Sequence, residues 1–147
     1  MKIGIIGLPQ TGKKTLFELI TRQKPSEKDL GAGKAIEGLA EIADPRFEKL
    51  VELYKPKKAA RARINVTLIP KFEKGLDLKD VDALCDVVRA FKNDAVYHKS
   101  GSVDPKRDID EINSELIFND MLFIEKRLER MEKDLKKLAE IYTESTK

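Results

Sequence analysis

The apolar positions of this chain change period several times, and each change marks an element. Ile3, Ile5 and Ile6 sit in a short run, residues 2–6, that stops at Gly7. A short apolar run closed by glycine predicts a buried strand. From Lys13 to Gln23 the spacing becomes helical, with Leu16, Phe17, Leu19 and Ile20 on the inner side. Residues 24–43 carry Pro25, Gly31, Gly33 and Gly38, which predict a mobile loop. Asp44-Pro45 is an N-cap followed by a first-turn proline. Phe47, Leu50, Val51, Leu53 and Tyr54 carry that helix to Pro56.

"ARINVTLI", residues 62–69, predicts a second strand, broken by Pro70 to Gly75. A short helix is expected over 77–80. "ALCDVVRAF", Ala83 to Phe91, predicts a further core strand. Strands joined by helical crossovers imply an α/β fold with a parallel sheet flanked by helices.

Beyond Asp104-Pro105, again an N-cap and a first-turn proline, no glycine or proline follows. Ile117, Met121, Ile124, Leu128, Met131, Leu135, Leu138 and Tyr142 recur in steps of 4, 3, 4, 3, 4, 3, 4. That is a coiled-coil seam, sustained for about three and a half heptads. Glu129 with Lys133, and Glu132 with Lys136, fall at i, i+4 on the exposed side. A helix of this length extends about 60 Å, so part of it must project from a small domain. The expected division is a partial nucleotide-binding domain over 1–103 and a long helical arm over 104–147. One helix cannot bury such a seam alone, so a second copy, the domain's own surface or another protein is expected to cover it.

Composition adds bounds. The 147 residues suffice for one domain with a real core. Charged residues make up 37%, above the usual quarter, which suits a long exposed helix or a thermophilic source. A net charge of +3 is too small to argue for nucleic acid. The single Cys85 excludes an internal disulfide and fits a reducing, cytoplasmic setting. The opening apolar run is too short for a signal peptide, and no stretch reaches the length of a membrane span.

The chemistry concentrates where the first strand meets the first helix. "GLPQTGKKT", Gly7 to Thr15, holds Gly7-x-x-x-x-Gly12-Lys13 in the strand–loop–helix context of a phosphate loop. Glycines let successive backbone N–H groups turn inward toward an anion, and the helix N-terminus adds partial positive charge. Lys13 is expected to reach the β- and γ-phosphates. The candidate nucleotide-binding residues are Gly7, Pro9, Gln10, Thr11, Gly12, Lys13, Lys14 and Thr15. The plain alternative is a turn whose glycines serve only the backbone. The hydroxyl that would ligate Mg²⁺ after the lysine is replaced by Lys14, whose ammonium has no lone pair. Either Lys14 places its charge where the metal would sit, or it turns to solvent and metal-assisted chemistry is lost. Thr15 lies about 100° further round the helix and cannot take over without a loop shift.

"GLPQTGKKTLF", "DPRFEKLVELYKPKK", "VVRAF", "SGSVDPKRDIDEINSELIFND" and "IEKRLERMEK" resemble the YchF subfamily of Obg-related P-loop GTPases, the OBG-like ATPases. The resemblance covers most of the chain outside 22–40 and 68–80. It implies a P-loop α/β nucleotide domain, an inserted coiled-coil hairpin whose first arm follows Asp104, and a C-terminal TGS domain. It implies binding of GTP or ATP, slow Mg²⁺-dependent hydrolysis and ribosome association. Several motif positions depart from the family. Its metal-binding serine falls on Lys14, and the switch II aspartate of its Asp-x-Ala-Gly falls on Leu68 in Leu68-Ile69-Pro70-Lys71. Its switch I threonine has no counterpart in 22–40, and its Asn-x-x-Glu base-reading motif does not occur in these 147 residues. Phosphoryl transfer relies on positioning and electrostatics around the metal. The expectation is therefore a nucleotide binder with hydrolysis weak or lost, Mg²⁺ doubtful, and a degenerate or truncated sequence. The alternative is a non-catalytic interaction protein whose helix mediates dimerisation or docking.

Three other features carry blander expectations. His98 has no Cys or His companion and is read as an ordinary loop or strand-end residue. Cys85 is read as core. Lys55, Lys57, Lys58, Arg61 and Arg63 form a basic cluster that could meet RNA phosphates, but without interleaved aromatics a solvated surface is expected.

Overall fold

The computed structural model describes residues 1–71, 78 and 80–145, with side chains described as far as Tyr142. The break at Pro70–Gly75 and the expected short helix at 77–80 fall largely outside these residues. Among the described residues, four strands and four helices follow in chain order: β1 Lys2–Ile6, α1 Lys13–Thr21, α2 Glu27–Gly31, β2 Ile36–Glu41, α3 Pro45–Tyr54, β3 Arg63–Leu68, β4 Ala83–Asp86 and α4 Pro105–Ser145. The sheet order is β2-β3-β1-β4. β3, β1 and β4 are parallel, as expected for an α/β fold. β2 pairs antiparallel to β3 and makes the sheet mixed.

β2 lies inside the segment read as a mobile loop. Its burial alternates, with Ile36, Gly38 and Ala40 inward. Gly38 is the reason the strand was disguised. A Cβ there would stand 2.7 Å from both Phe17 Cζ and Thr21 Cγ2, so glycine is what lets β2 approach α1. The predicted strand over Ala83–Phe91 is shorter than expected and stops at Asp86. Its partner β1 ends at the same place, at the Ile6–Asp86 pair, and beyond it the buried Arg89 guanidinium gathers the carbonyls of Phe91, Asn93 and Val96. Cys85, expected in the core, is half-buried on this edge strand.

The core divides between the two faces of the sheet. Ile5, Phe17, Val66 and Leu68 pack together on the α1 side. Ile6, Leu8, Ile69 and Ile112 pack on the other, with Leu116 beside them. Adjacent strand residues point to opposite faces, so Ile5 and Ile6 serve one cluster each. Full burial of such a side chain stabilises by about 1.5–3 kcal/mol. α1 thus covers one face and the first turns of α4 cover the other.

Asp44 caps α3, its carboxylate accepting from the Arg46 backbone N–H at 2.9 Å, with Pro45 in the first turn. Asp104 does the same for α4, accepting from Arg107 N–H at 3.2 Å. Past its docked turns α4 projects. Ile124, Leu128, Met131, Leu135 and Leu138 are all more than half exposed, so the seam faces outward.

Candidate functional site

β1 ends at Ile6 and the chain reverses through Gly7 to Gly12 before α1 begins. The reversal needs left-handed backbone: φ is +141° at Gly7, +62° at Gln10 and +100° at Gly12. Gly7 is doubly required, because a Cβ there would lie 2.5 Å from the Val87 carbonyl oxygen. A Cβ at Gly12 would meet nothing within 4 Å and would point into open space above the loop. Thr11 braces the curl from inside, its hydroxyl donating to the Leu8 carbonyl at 3.0 Å.

A cavity of about 500 Å³ opens over this curl. Pro9, Gln10, Thr11, Gly12, Lys13, Lys14 and Thr15 form its loop side, so seven of the eight sequence-predicted residues border one space. Gly7 lies beneath, at the turn itself. Leu30 of α2, together with Leu68 and Pro70, closes a second side. Arg89, Phe91, Asn93 and Val96 form the far wall, held by the arginine's three carbonyl contacts and by its guanidinium 5.5 Å over the Phe91 ring.

Lys13 is only 8% exposed, and its ammonium donates to the Gly7 carbonyl. Burial holds it below the ordinary lysine range, while the nearby Asp86 carboxylate pulls the other way. The loop is therefore curled but not plugged: its lysine rests on its own first carbonyl beneath an open cavity. Lys14 and Thr15 are exposed at the rim.

The two positions at which the family resemblance implies Mg²⁺ anchors are occupied by Lys14, whose ammonium cannot donate a lone pair, and Leu68, a core side chain 1% exposed. No group of three or more His, Cys, Asp or Glu residues able to hold a metal occurs among the described residues.

Sequence reasoning missed two groups beside the loop. Arg89 builds the far wall; its signal was a lone arginine at the end of an apolar run. Asp86 ends β4, paired in register with Ile6, and its Oδ1 is buried without a hydrogen-bond partner among the described residues. Burial raises its carboxyl above the usual range; Lys13 opposes this and Asp108 adds to it.

His98 is also more than an ordinary loop residue. It is buried, its Nδ1 accepts from Ser100 N–H at 3.2 Å, and its Nε2 lies 2.9 Å from Asp108 Oδ2. The Nδ1 contact leaves the ring proton on Nε2, which donates to the carboxylate. Arg107 donates to the other oxygen of Asp108 at 3.0 Å, so the pair fastens the 98–104 loop to the first turn of α4. In the basic cluster, Arg61 pairs with Glu48 at 2.6 Å and Arg63 with Glu41 at 2.8 Å, whereas Lys55, Lys57 and Lys58 are exposed.

No protein-family model matches the sequence. Individual relatives do. The ribosome-binding ATPase YchF of Bacillus subtilis is 41% identical over 145 residues, covering 88% of this chain and 39% of that protein. The Obg-like ATPase 1 of Schizosaccharomyces pombe is 35% identical over 148 residues, covering 90% and 38%. The solved structure of the Schizosaccharomyces pombe YchF GTPase superposes with a TM-score of 0.61 at 34% identity, covering 90% of this chain and 39% of that one. The chain spans about two fifths of the length of the relatives it matches. No helix among the described residues is long and apolar enough to cross a membrane. With a phosphate-loop turn at the end of β1 and this likeness in sequence and fold, the chain belongs, over the residues shared, with the YchF and Obg-like ATPases of the P-loop GTPase class.

Proposed function

We propose that the chain binds the polyphosphate of GTP or ATP in the curl from Gly7 to Thr15, and that Mg²⁺-assisted hydrolysis is weak or lost. The observation that carries this reading is the open cavity over a loop whose left-handed glycines and buried Lys13 are all in place. Backbone N–H groups, the start of α1 and the Lys13 ammonium would share the phosphate charge. Arg89 and Phe91 bound the far side of the same space. With Lys14 and Leu68 at the metal-anchoring positions, little remains to stabilise charge moving onto a leaving phosphate.

Thermal denaturation with millimolar GTP, ATP and their diphosphates tests the binding. The melting temperature rises with ligand concentration in the wild type and stays fixed in Lys13→Ala. No shift with any nucleotide overturns the reading. Phosphate release above that of Lys13→Ala would restore a slow NTPase.

Ribosome association, carried in the name of the Bacillus relative, extends to this chain as part of the same proposal. Exposed Lys55, Lys57 and Lys58 suit contact with RNA phosphates, so cosedimentation with ribosomes should weaken steeply as salt rises.

A second reading follows from α4. Its outward seam supports an interaction protein in which the helix pairs with a second copy or docks on a partner. Light scattering tests the dimer: a mass of two chains supports it, and a strict monomer at high concentration opposes it.

A further inference from the structure

We infer that Lys71 makes the site selective for nucleoside triphosphates: its ammonium takes the terminal phosphate, so that triphosphate is told from diphosphate without a divalent ion. This rests on the nucleotide-binding reading above and names the ligand class within it.

Lys71 comes beside the loop because the ladder of β3 runs out there. Ile69 N–H donates to the Ile5 carbonyl at 3.0 Å, one residue past the end of β3. Pro70 has no N–H with which to continue. Lys71 follows, its stem against Gly33, with Cδ 3.6 Å from where a Cβ on that glycine would stand. A second cavity, of about 340 Å³, opens here between the phosphate loop and the first turns of α4. Gly7, Leu8 and Pro9 border it on one side, Ile112 and Glu115 on the other, and Lys71 lines it between them. The two cavities share Pro9, Lys13 and Pro70, so Lys13 stands where they adjoin.

That arrangement gives a nucleotide a direction. The apolar wall that suits a base, Phe91 and Val96, borders the larger cavity and not the smaller one. With the nucleoside there and Lys13 at the junction, a phosphate chain that continues past Lys13 enters the smaller cavity. A diphosphate ends at the junction, and a third phosphate comes within reach of Lys71.

The charges agree. Lys13, Lys14 and Arg89 line the larger cavity, with no carboxylate among the described residues there. In the smaller cavity Lys99 is already paired with Glu111 at 2.6 Å. Lys71 is exposed and has no ion-pair partner among the described residues, Glu115 included. An uncommitted ammonium on a flexible four-carbon stem can close on a phosphate without breaking an existing pair.

Calorimetric titration of the 147-residue chain with GTP, GDP, ATP and ADP, in the presence of a metal chelator, tests the assignment. The wild type should bind each triphosphate about tenfold more tightly than its diphosphate, the scale of one hydrogen bond to a charged group. Lys71→Ala should lose that preference by weakening triphosphate binding, with diphosphate binding unchanged within about twofold. Lys71→Arg, which keeps the charge, should stay within about threefold of the wild type. Lys13→Ala should weaken both kinds of nucleotide. The melting temperature of Lys71→Ala without ligand should match that of the wild type, because an exposed, unpaired side chain contributes little to stability. Equal triphosphate affinity in Lys71→Ala and the wild type, or an equal loss for triphosphate and diphosphate, overturns the proposal and leaves nucleotide binding intact. Absence of heat with every nucleotide in the wild type overturns the nucleotide reading and this proposal with it.

Discussion

The candidate site has two halves, built from different material. The phosphate half is main chain: left-handed turns at Gly7, Gln10 and Gly12, an inward-braced Thr11, and Lys13 folded onto the loop's first carbonyl. The proposed metal half is side chain, and the positions that the family resemblance assigns to it hold exposed Lys14 and buried Leu68. Backbone geometry is coupled to the packing of β1 against β4, so it survives only as a whole. A metal ligand is a single side chain, and its loss leaves the fold untouched. On the proposed reading, the main-chain half of a nucleotide site is kept while the side-chain half is lost.

The sharpest way to break this contrast is at the turn. Gly7→Ala should destabilise the protein by about 3 kcal/mol, because a Cβ meets the Val87 carbonyl at 2.5 Å in a backbone region unfavourable to L-residues. Denaturant unfolding reads this, and nucleotide binding should vanish with it. Lys13→Ala comes next. It should keep the fold and lower nucleotide affinity by about 100-fold, the scale of a charge-assisted hydrogen bond, as measured by calorimetry.

The metal half should respond far less. Lys14→Ser restores a hydroxyl but leaves Leu68 in place, so adding Mg²⁺ should tighten nucleotide binding by only about threefold, on the order of 0.6 kcal/mol. A gain of 100-fold would mean that Leu68 had never mattered. Smallest of all is the effect of Mg²⁺ on the wild type, expected within about twofold, near 0.4 kcal/mol.

How far the sequence discloses this molecule depends on whether a feature is local. The phosphate loop is legible because glycine spacing, the preceding apolar run and the following helix lie within a few residues of one another. α4 is legible from its unbroken heptad, and its start from Asp104-Pro105. β2 is not, since its inward Gly38 reads as a loop signal until Phe17 is brought against it. The early end of β4 is likewise hidden, because it is set by the end of its partner β1 at the Ile6–Asp86 pair. His98 and Asp108 are ten residues apart, and only the docking of α4 reveals them as a buried pair. Asp86 is the extreme case. Within "ALCDVV" it reads as one polar residue in a strand, and its place beside Gly7 comes only from the pairing of β4 with β1.

The account is tested most directly by calorimetric titration of the 147-residue chain with GTP and ATP, each with and without Mg²⁺. The predicted result is saturable binding of one nucleotide per chain, with a Kd that changes by no more than about twofold when the metal is removed, a difference near 0.4 kcal/mol. Binding that appears only with Mg²⁺, or no heat at millimolar nucleotide, would contradict it.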